Sequence, residues 1–293
     1  MPTVVVVRRR LGKAVGPRSV HVIQREAPMS QQHPHYATLT LAHNGPVATL
    51  TLNRPEKRNA ISHELIEELH HALHEVQKTP SHILILTGSG TAFCSGMDLE
   101  ILREVTHLTE EENLADSGRM AHMFRALYDF PKVTIAAVNG PALAGGCGLA
   151  TLCDFTLASS EAKFGYTEVR IGFVPAIVSA FLLRQVGEKQ ARDLLLTGRI
   201  IGADEALRLG LVNAVVPPEQ LMTSAQELAA TLAANSPASL LATKRLLRAY
   251  SHTELDHRVA AAVDENARIR TTHDFREGVS AFLEKRKPNW TGR

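Results

Sequence analysis

Val133-Thr-Ile-Ala-Ala-Val138-Asn-Gly140-Pro-Ala-Leu-Ala-Gly145-Gly-Cys-Gly148-Leu-Ala-Thr-Leu-Cys153 changes its periodicity twice. Val133 to Val138 is a short, largely apolar run that reads as a buried strand, and Asn139-Gly140-Pro141 stops it. From Leu149 the run Leu-Ala-Thr-Leu-Cys153 is helix-like, which puts the Gly145-Gly146 pair at a helix N-terminus. The first N–H groups of a helix have no intrahelical acceptor and gain from the helix dipole, so an anionic oxygen is welcome there. At Gly145 the missing side chain lets a carbonyl group come close.

Outward from this stretch, strands and helices alternate. Val47 to Leu52 reads as a strand. Ser62 caps a helix with apolar residues at Leu65, Ile66, Leu69, Leu73 and Val76, a 3.6-residue stripe. Ile83 to Leu86 is a second short strand, ending at the Gly88-Ser-Gly90 turn. Thr109-Glu-Glu-Glu112 is a capping-box start for a helix to about Tyr128. This alternation predicts an α/β layer arrangement. After Gly187 the pattern is helical over 189–197, 203–210, 220–234 and 237–250, broken by the strand-like Leu211 to Val216. Residues 238–247 carry Leu240, Leu241, Leu246 and Leu247 on more than one face, so something must cover that helix, either the same subunit or another.

Two further segments complete a chemical set. Phe93-Cys-Ser-Gly-Met-Asp98 is a second turn able to aim a backbone N–H at an oxygen, and Phe164-Gly-Tyr-Thr-Glu168 supplies one carboxylate. Two preorganised donors for a developing oxyanion, with one base to move a proton beside the carbonyl, are the equipment for stabilising a thioester enolate. In this order and spacing the three segments resemble the crotonase family, also called the enoyl-CoA hydratase/isomerase family, from about Tyr36 to the C-terminus.

The resemblance implies a ββα spiral core over 36–220 and a C-terminal helical region over 221–293 that covers the active site and makes a homotrimer or a dimer of trimers. It implies an acyl-CoA thioester as substrate, with coenzyme A as part of that substrate and no separate cofactor. Glu168 would be the base, and the N–H groups of Ser95 and Gly145 the oxyanion donors, in a turn made permissive by Gly96. Met97 belongs to the same substrate-binding segment. Asp98 is expected to brace the loop, because a carboxylate beside the enolate would oppose the charge being stabilised. The loop Lys57-Arg58-Asn59-Ala60 matches the family's CoA loop, with the Ala60 backbone at the adenine and Arg58 near a phosphate. Lys285, in the closing segment Phe282 to Trp290, is a candidate for the CoA phosphates.

Gly148 stands where the family's hydratases carry a second glutamate. A 3-enoyl to 2-enoyl isomerisation needs only one base, whereas hydration divides its work between two, unless Glu100 or Glu104 reaches in. Both reactions therefore stay open, beside a catalytically weak acyl-CoA-binding protein of the same fold. Two departures bear on this choice: Thr167, where the family usually has proline, and Pro175-Ala-Ile-Val-Ser179, where many hydratases are glycine-rich. An ordinary solvated role for Glu168, paired with Arg170, is the bland alternative.

Other classes lack support. A formal charge of +2 on 293 residues, 44% hydrophobic and 21% charged, gives no case for nucleic-acid binding, and no apolar run is long enough to span a bilayer. Cys94, Cys147 and Cys153 are odd in number and sit in apolar segments without a CxxC pair, which fits a reducing compartment, the cytoplasm. His70, His71 and His74 on one helix lack an HExxH pattern and a third ligand, so a solvated face is expected and no metal. Residues 1–35 are basic and acid-poor at their start and are expected to be an extension outside the fold, with Met29 as an alternative initiator.

Overall fold

The computed structural model describes residues 35–293; the expected extension, but for its last residue, lies outside them. Six strands form the main sheet: β1 (Leu39–Asn44), β2 (Val47–Leu52), β3 (Ile83–Gly88), β4 (Val133–Val138), β6 (Phe155–Ser159) and β9 (Ala214–Val216), in the order β1-β2-β3-β4-β6-β9. The β1–β2 pair is antiparallel and the remaining pairs are parallel. A smaller sheet joins β5 (Ala142–Leu143), β7 (Lys163–Gly165) and β8 (Ile201–Gly202).

The inner strands β3 and β4 are mostly apolar and almost wholly buried because both of their faces are covered. Side chains alternate across a strand, so Ile83 and Ile85 of β3 join one core and Leu84 and Leu86 join another. On the first face lies α8 (Leu221–Ala233), through Leu221, Ala225 and Ala229. The second face meets α1 (His63–Lys78), whose Leu65, Leu69, Ala72 and Val76 are completely buried. Ser62 caps α1 by accepting the Leu65 N–H at 3.1 Å, a contact worth about 1 kcal/mol. Each fully buried leucine on that stripe contributes about 1.5–3 kcal/mol.

Two helices lie between β3 and β4. The first, α2 (Leu99–Glu104), is capped by Asp98, and α3 (Glu110–Tyr128) opens with the expected Thr109/Glu112 capping box. After β5 comes the short α4 (Gly145–Thr151), then α5 (Ala176–Val186), α6 (Glu188–Thr197) and α7 (Ala203–Arg208). The chain ends in α9 (Pro237–Ala249), α10 (His252–Ile269) and α11 (His273–Leu283). α10 packs against α3 and α5, and α11 against α2 and the 3-10 turn Glu168–Ile171. Residues 35–293 form one compact unit, so the C-terminal helices belong to the same body as the sheets.

The helix at 238–247 is covered on one side only. Leu240 packs on the α8 core and Lys244 is buried, but Leu246, Leu247 and Tyr250 are 53%, 61% and 72% exposed.

The loops that follow β2, β3 and β4 at their carboxyl ends carry Arg54–Ala60, Gly90–Asp98 and Asn139–Gly145. Parallel strands put those three loops side by side, the usual place for a site in an α/β sheet.

Candidate active site

Backbone pairing brings the three sequence segments together. Cys94 bridges Ala142, and Ala142 and Leu143 pair with Phe164 and Gly165. The Leu143 N–H donates to the Cys94 carbonyl at 2.9 Å, and the Ala144 N–H to the Gly165 carbonyl at 2.7 Å. Glycine is required where these chains touch: a Cβ on Gly146 would stand 2.2 Å from the Cys94 carbonyl oxygen. Gly96 has φ +96°, and a Cβ there would meet the Ala144 Cβ at 3.0 Å and the Gly145 nitrogen at 3.9 Å.

Gly145 is the first residue of α4, and its N–H has no acceptor among the described residues. Ser95 differs from expectation. Its N–H donates to the Arg58 carbonyl at 3.1 Å, and an amide already engaged is a poor oxyanion donor. Next in the loop, the Gly96 N–H points to the Cys94 thiol. The Met97 N–H is left over: on either side of it the Ile61 N–H bonds the Gly96 carbonyl at 2.8 Å and the Asp98 N–H bonds the Ile61 carbonyl at 2.9 Å, while Met97 itself donates to no described residue. The free pair is therefore Met97 and Gly145, and both line one cavity of about 480 Å³.

Glu168 lines the same cavity. It opens the 3-10 turn Glu168–Ile171 and is 8% exposed, and its Oε2 is buried with no hydrogen-bond partner. Burial pushes its pKa up to about 7, only partly opposed by a hydrogen bond from its own backbone N–H. It makes no ion pair with Arg170, so the solvated reading fails. Thr167 in place of proline leaves the turn closed, with the Arg170 N–H donating to the Thr167 carbonyl at 3.0 Å and Phe173 N–H to the Glu168 carbonyl at 3.1 Å.

Asp98 also lines the cavity, but its carboxylate is engaged. It accepts the Glu100 N–H at 3.0 Å and the Arg54 guanidinium at 2.9 Å. Burial raises its pKa, but those hydrogen bonds and the Arg54 charge together hold it below the usual carboxylate range. Arg54 also donates to the Ala60 carbonyl at 2.7 Å. Through that bond and the Ser95–Arg58 bond, the CoA-type loop and the oxyanion loop become one rigid piece. Buried Asn59 completes it, accepting the Arg54 N–H and donating to the Ser89 and Ala92 carbonyls. Arg58 and Ala60 line the cavity with Lys57, whose ammonium reaches Glu100 at 3.1 Å.

Lys285 is not brought to the site; its segment contributes Phe282 instead. The backbone turns away at Lys285, φ +56°, and Arg286 is tied to Glu277 and Glu284. Neither reserve acid arrives: Glu100 and Glu104 do not line the cavity, whose carboxylates are Glu56, Asp98 and Glu168. Gly148 has no room for a substituent, since a Cβ would lie 2.6 Å from Val178 Cγ1 and 3.0 Å from Phe124 Cε1. His70 turns to His122 at 3.0 Å, and among the described residues no three His, Cys, Asp or Glu gather as a metal site.

Sequence reasoning missed the Met97 amide, Phe124 and Val178 beside Gly148, and the far wall, where Phe173, Asn266 and Arg270 line the cavity. Met97 lies inside a segment the sequence marks, but its amide does not stand out there, and no motif marks the others; an arginine at the end of a helix ordinarily reads as a partner of the helix dipole.

This arrangement of sheets and loops recurs in solved structures. An enoyl-CoA hydratase from Mycobacterium avium superposes with a TM-score of 0.79 at 34% identity, over 88% of this chain and 100% of that one. An enoyl-CoA hydratase/isomerase from Xanthobacter autotrophicus gives 0.79 at 31%, over 86% and 97%. The fold is that of the crotonases. The sequence model described as Enoyl-CoA hydratase/isomerase matches residues 42–293, and the chain belongs to that family. A Thermus thermophilus protein named "Putative enoyl-CoA hydratase" is 48% identical over 247 residues, 84% of this chain and 98% of that protein. The crotonyl-CoA hydratase of Syntrophomonas wolfei is 36% identical over 258 residues, 87% and 98%.

Proposed function

We propose that this enzyme moves a proton on enoyl-CoA thioesters with Glu168 as its single acid–base group, and that its reaction is the 3-enoyl to 2-enoyl isomerisation. The observation that carries this reading is the Glu168 carboxylate: buried, unpartnered at Oε2 and poised near neutrality on a cavity that also holds two unengaged amides. The carboxylate takes the α-proton, and the electron pair moves onto the thioester oxygen, where the Met97 and Gly145 N–H groups stabilise the dienolate. Glu168 then returns the proton at the γ-carbon, and the double bond comes into conjugation with the carbonyl. No second carboxylate is needed, which suits a site where Val178 and Phe124 fill the space beside Gly148.

Hydration of 2-enoyl-CoA is the second reading, favoured by the relatives, which carry hydratase names. There Glu168 would both activate water and deliver the α-proton. Purified protein incubated with 3-enoyl-CoA and 2-enoyl-CoA panels separates the readings through the absorbance of the conjugated thioester. Absorbance should rise with the 3-enoyl substrates. A fall with the 2-enoyl substrates alone makes it a hydratase, and no change at any chain length makes it an acyl-CoA-binding protein.

The exposed Leu246, Leu247 and Tyr250 face supports a homotrimer or a dimer of trimers. Three free, buried cysteines suit a reducing compartment such as the cytoplasm. Among the described residues no helix is long and apolar enough to cross a membrane.

A further inference from the structure

The far wall of the cavity is polar where an enoyl chain of hydrocarbon would want it apolar. Arg270, 1% exposed, and Asn266, 5% exposed, both line it from α10. Arg270 lays its guanidinium over the Phe173 ring, 5.4 Å from the centroid. One nitrogen, Nη1, donates to Asp116 Oδ2 at 2.6 Å and approaches Asn113 Oδ1 at 3.4 Å. The Nε–H is buried without an acceptor. Asn266 accepts the Ser117 hydroxyl at 2.8 Å, and its amide nitrogen donates to no described residue. The Nε–H is enclosed, but Arg270 Nη2 and Asn266 Nδ2 are not, and neither donates to a described residue; these are the donors left for a ligand, while the acceptors are occupied or lacking.

Among the described residues Asp116 is the one carboxylate set against Arg270, and it is shared with Arg119 at 2.9 Å and His63 at 3.0 Å. Its Oδ1 serves the half-exposed Arg119 and His63, and only its Oδ2 meets the buried Arg270 guanidinium. A buried donor without an acceptor is costly, and a purely structural ion pair between α3 and α10 gives no reason to retain one. A hydrocarbon chain reaching Arg270 would leave its open donor unpaired. A carboxylate would accept the open Arg270 Nη2 and Asn266 N–H groups, the former in a charge-assisted bond.

We propose that the site selects acyl-CoA thioesters whose acyl group ends in a carboxylate, with Arg270 and Asn266 as the residues that recognise it. This rests on the acyl-CoA reading above.

Calorimetric titration of the full chain with unreactive, saturated ligands tests it: glutaryl- and adipyl-CoA against valeryl- and hexanoyl-CoA of equal carbon number, with free CoA as baseline. At the length that fits, the carboxylate-ended ligand should bind about tenfold tighter or more, as expected when a site built to hydrogen-bond a group meets an analogue lacking it. Asp116→Asn removes the internal competitor and should widen the preference. Arg270→Met should abolish it while free CoA binds as before; should that variant not fold, the wild-type and Asp116→Asn comparisons still decide. Methyl-ended ligands binding as tightly at both lengths would overturn the inference and leave the acyl-CoA reading intact. Failure of every CoA thioester and of CoA itself to bind would sink both.

Discussion

The Ser95 amide donates to the Arg58 carbonyl at 3.1 Å, while the Met97 amide, two residues on, donates to no described residue. The Ser95–Arg58 bond also ties the 54–60 loop to the 93–98 loop. The free amide then keeps its direction through Gly96, whose φ of +96° turns the chain between the two residues.

Gly96→Ala therefore tests the loop. The new methyl would be strained at that φ and crowded by Ala144 and the Leu143 carbonyl. Loss of one oxyanion donor costs about 100- to 1000-fold in kcat, and we expect a fall toward that range with a smaller change in KM. A variant with normal kcat would show that this loop does not supply a donor.

Glu168→Gln should lower turnover by about 100-fold or more while CoA binding changes little. In the wild type, kcat/KM should rise with pH to a plateau through an inflection near the Glu168 pKa of about 7. Stability moves the other way. The folded pKa lies above the ordinary 4.5, so the protonated form is favoured in the fold, and its contribution is complete below about 4.5 and lost as pH rises toward 7. Glu168→Gln should consequently melt at a higher temperature than wild type at pH 8 and at the same temperature near pH 4.5. Equal midpoints at pH 8 would mean that burial does not strain this carboxylate.

Gly148→Glu is expected to destabilise rather than to create a hydratase. Its Cβ would meet Val178 and Phe124 at 2.6 and 3.0 Å, and overpacking of this kind costs about 1–3 kcal/mol. Removing the nearer obstacle with Val178→Ala should recover part of the thermal midpoint and raise hydration of short 2-enoyl-CoA per folded site. If Gly148→Glu alone melts like wild type, the wall is softer than it stands here.

Arg54→Met breaks two bonds at once, to Asp98 and to the Ala60 carbonyl. Stripping the partner from a buried charge costs about 3 kcal/mol, and KM for the thioester should rise as the loop loosens. Asp98 has a depressed pKa, so its pairing stabilises above about pH 4 and fades as pH falls through the folded value. The difference between wild type and variant should shrink in acid. A constant difference down to pH 3 would place the stabilisation elsewhere.

Much of this was legible along the chain. Strand and helix assignments rest on local periods, so β2, β3, β4 and the capped starts of α1 and α3 could be read directly from Val47, Ile83, Val133, Ser62 and Thr109. Gly145 and Glu168 could be read too, because each sits in a short segment whose local geometry matters more than its distant neighbours. By itself, then, the sequence determined the α/β class, the family and the segments that carry Gly145 and Glu168 to the cavity. The tertiary structure alone decided which amide is free, because that depends on a carbonyl thirty-seven residues upstream of Ser95. It alone decided that Gly148 is walled in and that Arg270 lines the cavity, because Val178, Phe124 and α10 reach the site from remote positions. Hydrogen-bond satisfaction and packing are properties of neighbours in space, and periodicity carries no record of them.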